Sequence, residues 1–216
     1  MTTVGVLGGT GPAGKGVAIR LASAGYDVIV GSRDEARAQV VADELLPRGD
    51  GVIRGATNAV AADCAVVIVA TPWDSAVATV SALREALAHK VVISMVNALV
   101  RDGKELVPLS TPRGSMAAQL AHALPASVIV GVFHHLPAGP MQDLDSGLEA
   151  DVMVFSDDAG AREQVAAMVD AMPGLRAVIV GSLSLAGVVE AFTAVCASVN
   201  VRYKAHTYVK IAGLTP

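Results

Sequence analysis

The sequence contains one glycine-rich motif near its start, Gly9-Thr10-Gly11-Pro12-Ala13-Gly14. It follows the apolar run Val4–Leu7, which predicts a strand, and it opens the Ala-rich segment Gly11–Ala24, which predicts a helix ended by Gly25. The spacing G-x-G-x-x-G between a strand and a helix is typical of a dinucleotide-binding turn. A side chain at Gly11 would hold a pyrophosphate away from the backbone, whereas the helix N-terminus offers free N–H donors and partial positive charge. The alternative is a glycine turn with a purely structural role.

Short β-branched runs then alternate with Ala-rich segments along the chain. Further strands are predicted at Asp27–Val30, Gly51–Ala56, Ala65–Ala70, Val91–Met95, Ser127–Phe133, Asp151–Ser156 and Arg176–Val180. Further helices are predicted at Asp34–Leu45, Asn58–Ala62, Asp74–Leu87, Ser115–Leu124, Ala159–Met172 and Ser184–Val201. Because a strand such as Ala65–Ala70 is apolar on both faces, it belongs in a parallel sheet covered by helices on both sides. We therefore expect an α/β fold with a doubly wound, mostly parallel Rossmann sheet over residues 1–180, and a small C-terminal helical extension over 181–216.

The composition sets limits on function. The 216 residues are 53% hydrophobic and 17% charged, which suits one α/β domain with a large core. The net charge of −4 argues against a nucleic-acid partner, which would require a basic face. Cys64 and Cys196 have no CxxC spacing, and no basic leader precedes Val4, so we expect a cytoplasmic protein with reduced thiols and no signal peptide.

The segment 177–201 is long and apolar enough to suggest a membrane span. However, Gly181 and Ser182 interrupt it early, and Glu190 would lie near the middle of the membrane at high cost. We interpret it as a strand, a turn and a very apolar helix that is buried in the core or in a subunit interface. Its apolar residues are Val188, Val189, Phe192, Val195, Cys196 and Val199. They predict nearly continuous burial and a homodimer built on this C-terminal region, with no membrane association.

The end of the second strand, Val30-Gly31-Ser32-Arg33, carries no acidic residue. An NAD site would have Asp or Glu there to accept from the ribose 2′-hydroxyl. Ser32 and Arg33 can instead donate to a phosphate, and Arg37 lies one helical turn further on the same face. Asp34 stands where a helix N-cap is expected. The pattern favours a 2′-phosphate site, hence NADP, over a pair of solvated surface arginines.

In this fold the nicotinamide lies beyond the fourth and fifth strands, whose exits are Thr71–Ser75 and Ser94–Asn97. Trp73 is equally suited to wall the cofactor or to cover the sheet edge. Ser75 starts a helix, and capping that helix is favoured over contact with a ribose. Asn97 is a candidate for positioning a substrate loop. The segments 100–113 and 138–148 are rich in Gly, Pro and charge and are predicted to be active-site loops.

His134 and His135 are adjacent at the end of a predicted strand, where alternation sends them to opposite faces. One of them is expected to face the cleft, and a structural role is the alternative. Two such side chains do not readily bind one metal ion, and no other metal cluster is expected. The sequence also contains no nucleophile elbow and no paired catalytic carboxylates.

With these residues identified, the chain resembles the F420-dependent NADP reductases over essentially its whole length. The stretch Val6–Gly16 is similar to the LGGTGxxGKG turn of that family, and Gly31-Ser32-Arg33 is similar to its 2′-phosphate site. The remaining similarities are Pro72-Trp73, Gly114-Ser115-Met116-Ala117, His134-His135-Leu136-Pro137-Ala138, Gly181-Ser182-Leu183-Ser184 and Asn200. One departure is Ala98, where many relatives have a proline, and it concerns the course of the following loop.

The resemblance implies direct hydride transfer between NADP(H) and the deazaflavin coenzyme F420. The protein would position the two rings and would not need an acid–base catalyst. Residues implied to bind NADP are Gly9, Thr10, Gly11, Pro12, Ala13, Ser32, Arg33 and Arg37, with Ser75, Met95 and Ala138 on the nicotinamide side. Residues implied to line the F420 pocket are His134, Leu136, Pro137 and Ala138, with Val209 and Ile211 of the C-terminal segment closing it. His134 would orient the substrate.

Two other functions fit the same first half of the chain. One is an NADPH-dependent reductase of a small imine or ketone, although pyrroline carboxylate reductases would be expected to have a longer helical C-terminal domain. The other is a non-catalytic NADPH-binding module, which would bind NADPH without turnover.

Overall fold

The computed structural model describes residues 2–214. The strands are β1 (Thr3–Leu7), β2 (Asp27–Ser32), β3 (Ile53–Thr57), β4 (Val66–Val69), β5 (Val91–Ser94), β6 (Leu99–Asp102), β7 (Glu105–Pro108), β8 (Val128–Gly131), β9 (Ala150–Phe155) and β10 (Leu175–Gly181). The helices are α1 (Pro12–Ser23), α2 (Glu35–Glu44), α3 (Asn58–Ala62), α4 (Trp73–Ala82), α5 (Arg84–Leu87), α6 (Met116–Ala123), α7 (Ala138–Gln142), α8 (Ala159–Asp170) and α9 (Ala186–Tyr203).

Within residues 2–214, eight strands form the main sheet, in the order β3-β2-β1-β4-β5-β8-β9-β10. The first six are parallel to one another. The end of β8 at Gly131 pairs with Phe155 of β9 in antiparallel sense, and β10 is parallel to β9. The chain order reverses direction between β1 and β4, so a crevice opens outside the carboxyl ends of these two strands.

The sheet is covered on both faces, because its central strands are apolar on both sides. All four residues of β4, Val66–Val69, are buried. One apolar cluster joins the sheet to α1 and α8 through residues such as Val17 and Val165. A second joins the opposite face to α6 and α9 through residues such as Leu120 and Val189. The predicted doubly wound α/β fold with a C-terminal helix is confirmed, while the predicted division at residue 180 remains a prediction.

The loop predicted over 100–113 contains a hairpin of β6 and β7. Its strands escaped prediction because they are short and mostly exposed, with no alternating apolar pattern. Gly103, with φ of +58°, supplies the turn between them. The loop predicted over 138–148 likewise begins with the one-turn helix α7. The helix predicted over 74–87 is divided at Leu83 into α4 and α5.

The segment after residue 174 forms a strand, a short 3₁₀ turn and α9, as predicted. Within the single chain α9 is only partly buried, so its predicted nearly continuous burial would require the predicted subunit interface. Val189 is 6% exposed, but Val188 and Val195 on the same helix are 70% and 54% exposed. By length and composition alone, among the residues described, only the helical stretch 183–203 is apolar enough to cross a membrane, and core helices meet the same criterion.

Candidate cofactor and substrate site

The glycine-rich turn is shaped by close packing behind it. Gly8 has φ of +68°, and a Cβ there would lie 2.7 Å from Cγ2 of Thr71. A Cβ at Gly14 would lie 2.7 Å from the Cα of Gly9, so the first turn of α1 can pack this closely against the glycine turn only with glycine at position 14. Glycine is therefore required at position 8 as well, although the sequence pattern included only residues 9–14.

Gly11 has a different reason to be glycine. A Cβ there would meet only the carbonyl oxygen of Gly8, at 3.7 Å, so protein packing does not exclude a side chain. The open space in front of Gly11 is the crevice. Gly11 is also the N-cap of α1, and no side chain within residues 2–214 caps this helix end. A backbone that a ligand can approach closely and free N–H donors at a helix N-terminus together fit a pyrophosphate.

In front of this turn lies a cleft of about 540 Å³. Its lining includes the predicted NADP residues Thr10, Gly11, Pro12, Ala13, Ser32, Arg33, Arg37, Ser75 and Met95. Gly9 does not line the cleft, because its amide is turned inward to the carbonyls of Val6 and Gly31. Ala138 lines the smaller cavity described below. The cleft thus brings together residues from α1, α2 and α4 and from the exits of β1, β2 and β5, which is the arrangement that an extended dinucleotide requires.

One end of the cleft carries the two arginines predicted to bind a 2′-phosphate. Arg33 and Arg37 are exposed, and neither guanidinium has a hydrogen-bond partner within the described part of the chain. The nearby acid, Asp34, accepts from the backbone N–H of Arg37 at 3.1 Å and so caps α2, as expected. The Asp34 carboxylate is thus engaged with the start of α2 and forms no ion pair with either arginine within residues 2–214.

The exit of β4 forms the opposite wall of the cleft. Trp73 lines the cleft and is 37% exposed, a position that fits walling the cofactor better than covering the sheet edge. The predicted capping role of Ser75 is wrong. The helix begins at Trp73, one residue before the predicted start at Asp74, and the Ser75 hydroxyl donates to the carbonyl of Pro72 at 3.1 Å instead of accepting from a free N–H. Ser75 remains at the cleft, where its contact with the cofactor is still a prediction.

A second, smaller cavity of about 180 Å³ adjoins the cleft and is mostly apolar. Its lining consists of Ala13, Val17, Met95, Asn97, Phe133, His134, Leu136, Ala138, Met141 and Thr193. Ala13, Met95 and Asn97 line both spaces, so the two meet at these side chains. A cavity of this size alone is smaller than the ~300 Å³ at which ligand pockets usually begin. A ring system would therefore occupy it together with the adjoining end of the cleft.

Asn97 and His134 form a polar pair at this junction. The Asn97 amide Nδ2 donates to the His134 carbonyl at 2.8 Å, which leaves Oδ1 of Asn97 as an acceptor. Nδ1 of His134 lies 3.1 Å from that oxygen and must be its donor. The Thr193 hydroxyl donates to the same His134 carbonyl at 3.0 Å. This pattern fixes His134 in the Nδ1–H tautomer.

His134 is 3% exposed, and its ring stacks on Phe155 with a centroid distance of 5.4 Å. Burial, with the neighbouring His135 adding to it, lowers the pKa of His134 to about 3. The imidazole is thus neutral near pH 7 and does not act as an acid there. Its Nε2, an acceptor in this tautomer, has no hydrogen-bond partner within residues 2–214. These properties agree with an orienting role, which stays a prediction.

His134 and His135 do point in different directions, but the cause is not the strand alternation expected from the sequence. β8 ends at Gly131, and Phe133 adopts φ of +68°, so the strand geometry does not continue to His134 and His135. Both side chains are buried. His134 lines the small cavity, whereas His135 faces β9, where its Nε2 accepts weakly from the Met153 amide at 3.5 Å. A left-handed backbone at a buried aromatic residue is a strained conformation of the kind found beside functional sites.

The remaining residues predicted to line the F420 pocket are divided by the structure. Leu136 and Ala138 line the small cavity, and Pro137 stands before α7 without lining it. Val209 and Ile211 line neither space, because the buried carboxylate of Asp151 holds this segment against the start of β9. The carboxylate accepts from the Ile211 amide, and the Asp151 amide donates to the Val209 carbonyl. In a single chain, the C-terminal segment therefore does not close the cavity.

Several lining residues had no signal in the sequence. Asn58 lines the cleft, and its Oδ1 accepts from the Gly8 amide at 3.1 Å, 50 residues away in the chain. Thr193 and Met141 line the small cavity from helices whose placement no local pattern reveals. Among these missed residues and Gly8, Gly8 is the one that could have been found from the sequence, because it directly precedes the glycine motif.

Known proteins resemble this chain along nearly its whole length. The family model for NADP oxidoreductase, coenzyme F420-dependent, matches residues 3–98. The F420-dependent NADP reductase of Methanocaldococcus jannaschii is 31% identical over 220 residues, covering 98% of each chain. That of Methanothermobacter marburgensis is 32% identical over 207 residues, covering 92% of each chain.

Solved structures share the fold. A chain from Arthrobacter sp. FB24, provisionally assigned as an F420-dependent NADP reductase, superposes with a TM-score of 0.81 at 24% identity, covering 98% of this chain and 99% of that one. An imine reductase from Bacillus cereus gives a TM-score of 0.60 at 20% identity, covering 92% of this chain and 60% of that one. Likeness at these identities supports the fold alone. The two archaeal relatives, similar along more than nine-tenths of the sequence, show that this chain belongs to the family of F420-dependent NADP reductases.

Proposed function

We propose that this protein transfers a hydride directly between NADP(H) and coenzyme F420. Family membership supports the reaction, and one observation on this chain carries the proposal. The dinucleotide cleft and the small apolar cavity meet at Ala13, Met95 and Asn97, so two ring systems entering from the two sides would face each other there. Held about 3–3.5 Å apart, a nicotinamide and a deazaflavin exchange hydride without help from a protein acid or base.

The residues of the chain then have binding and orienting roles. The turn 9–14 and the start of α1 would hold the pyrophosphate, and Ser32, Arg33 and Arg37 would hold the 2′-phosphate. Leu136 and Ala138 would wall the deazaflavin side. His134, neutral because its pKa is lowered to about 3, would offer Nε2 as an acceptor without introducing charge. This assignment explains why the site contains polar groups but no acid–base pair.

The alternative of an imine or ketone reductase rests on fold likeness alone, at 20% identity for the imine reductase from Bacillus cereus. We further propose that the protein works in the cytoplasm as a homodimer. The two cysteines are free thiols, as expected in a reducing compartment. The exposed apolar residues of α9, such as Val188 and Val195, support the dimer.

The test is to mix the pure protein with NADPH and oxidised F420 and to follow the visible absorbance of the deazaflavin. We expect rapid bleaching with NADPH and slower bleaching with NADH. A parallel assay offers a cyclic imine in place of F420 and follows NADPH consumption. Tight NADPH binding without bleaching would contradict F420 as the second substrate, and imine reduction in the parallel assay would then replace it.

A further inference from the structure

Arg20 is a buried cation that the dinucleotide site does not use. It lies in the last turn of α1, in the apolar sequence Val17-Ala18-Ile19-Arg20-Leu21, and is 3% exposed. Within residues 2–214, none of the salt bridges includes it. Burial lowers the pKa of the guanidinium, an effect that the nearby Asp143 partly opposes. A charge kept in such a place requires compensation by hydrogen bonds.

The compensation comes from backbone carbonyls at the end of α7. Nε of Arg20 donates to the Met141 carbonyl at 2.9 Å, and one terminal nitrogen donates to the Pro140 carbonyl at 2.7 Å and the Asp143 carbonyl at 3.2 Å. The other terminal nitrogen donates to the Pro173 carbonyl at 2.9 Å. The last carbonyls of a helix lack intrahelical partners, and a cation is favoured there. Arg20 is thus the C-terminal cap of α7, supplied by a different helix.

The helix that Arg20 caps is a wall of the small cavity. Ala138 and Met141 of α7 line it from one side, and Ala13 and Val17 of α1 line it from the other. Between them the helices touch at Gly16, where a Cβ would lie 2.6 Å from Cβ of Met141. The width of the cavity therefore depends on how closely α7 is held to α1.

A five-residue helix does not hold such a position by its own stability, since isolated helices of this length do not form in water. Arg20 supplies several charge-assisted hydrogen bonds in a fixed planar arrangement, which the single ammonium of a lysine cannot reproduce. A second, weaker connection is made by Gln142, whose side chain donates to the Pro12 carbonyl at 3.0 Å.

We propose that Arg20 is a positioning residue for the second substrate: by capping α7 it holds the wall formed by Ala138 and Met141 against α1 and so sets the deazaflavin side of the site. The assignment of that substrate rests on the proposed function. The dinucleotide turn lies two helical turns away from Arg20, at the other end of α1, and is shaped by its own glycine contacts. Loss of the cap is therefore expected to affect the two substrates unequally.

The test compares Arg20→Lys, which keeps the charge and the aliphatic stem, with the wild type. We expect the KM for F420 to rise about tenfold or more, since a displacement of about 1 Å at a substrate wall has effects of this order or larger. The Kd for NADPH, measured by fluorescence in the absence of F420, is expected to change less than about twofold, the change of a site left intact. Hydrogen exchange at the amides of 138–143 is expected to accelerate in Arg20→Lys, and this readout requires no activity.

The matched control is Arg48→Ala. Arg48 binds the side chain of Asp145, which lies in the loop that follows α7. Because both side chains are largely exposed, Arg48→Ala is expected to leave the KM for F420 unchanged.

The positioning role is refuted if Arg20→Lys weakens the binding of NADPH and of F420 equally, or if it changes neither the KM for F420 nor the hydrogen exchange at 138–143. Should Arg20→Lys not fold, Arg20→Gln, which keeps side-chain donors without the buried charge, is measured by the same two readouts, and an unchanged KM for F420 together with unchanged exchange at 138–143 would again refute the role. A wild-type protein that does not reduce F420 refutes the proposed function instead, while the exchange measurement still decides whether Arg20 holds α7.

Discussion

Arg33 and Arg37 are the residues through which the cofactor preference is most directly tested. Both face the cleft, and neither guanidinium has a protein partner within residues 2–214. Arg33→Ala is expected to raise the KM for NADPH about 10- to 100-fold, the effect of losing one or two charge-assisted hydrogen bonds to a phosphate. The KM for NADH, which has no 2′-phosphate, is expected to change little. Steady-state kinetics with both cofactors measure the difference.

Arg54→Ala is the control for this experiment, because Arg54 is an exposed arginine of β3 that does not line the cleft. It is expected to leave both cofactors unaffected. An equal loss with NADPH and NADH in Arg33→Ala would contradict a 2′-phosphate site and restore the interpretation of Arg33 as a solvated surface residue.

At the residue scale, the sequence predicts what is local in the chain. The glycine turn and the pair Ser32 and Arg33 could be placed, because their chemistry depends on neighbours within a few positions. Asn58 and Thr193 could not, because each acts on a residue 50 or more positions away, Gly8 and His134 respectively. Arg20 was missed for the same reason, as its acceptors lie more than 100 positions along the chain.

At the scale of elements, α9 is fixed to α6 by one buried carboxylate. Glu190 is 5% exposed, and its two oxygens accept from the backbone amides of Met116 and Ala117 at 2.7 and 2.9 Å. These amides belong to the free N–H groups at the start of α6, where a carboxylate is favoured. Glu190, which in a membrane would be a liability, is here a second cap of α6 beside Ser115.

Burial raises the pKa of Glu190 from 4.5 to about 7, against the opposing effect of the two amides. Between these two values the unfolded chain releases the proton while the folded chain keeps it, so the free energy of unfolding falls as the pH rises from 4.5 to 7. The shift corresponds to roughly 3 kcal/mol. Glu190→Gln cannot ionise and is expected to lack this component. Urea unfolding at pH 5 and pH 8 should therefore show the variant gaining stability relative to the wild type as the pH rises.

Glu163→Gln serves as the matched variant, since Glu163 is exposed on α8 and has no such contact within the described residues. Its stability relative to the wild type should be the same at both pH values. If Glu190→Gln and the wild type have parallel pH dependences, then the carboxylate is ionised throughout and the amides outweigh the effect of burial.

Whether an element could be predicted depended on its length and on its apolar periodicity. The buried strands and long helices have strong periodic patterns and were placed within a few residues. The hairpin of β6 and β7 and the helix α7 lack such patterns, because they are short and are held by neighbours, α7 by Arg20. The end of β8 was misplaced because Phe133, an aromatic residue that favours strands, is held instead in a left-handed conformation.

At the scale of the whole molecule, the outer face of the C-terminal region exposes large apolar side chains to solvent. Leu185, Val188, Phe192 and Val195 are 41%, 70%, 38% and 54% exposed, and they form an apolar stripe spaced by three, four and three residues. This is the spacing of a helix–helix contact seam. Nearby in sequence, β10 is an edge strand of the sheet and exposes Ile179. A stripe of this kind is typical of a surface that is covered in the assembled protein.

The stripe is expected to be the contact surface of a homodimer. The wild-type protein is expected to be a homodimer at micromolar concentration, and Val188→Glu and Val195→Glu are each expected to shift it to a monomer, because a carboxylate buried in an apolar seam without a partner costs several kcal/mol. Val40→Glu is the control, as Val40 is 57% exposed on α2, far along the chain from the stripe, and should leave the dimer intact. Light scattering coupled to size-exclusion chromatography measures the mass of each form. A monomeric wild type would refute the dimer, and dimeric glutamate variants would place its interface elsewhere than on α9.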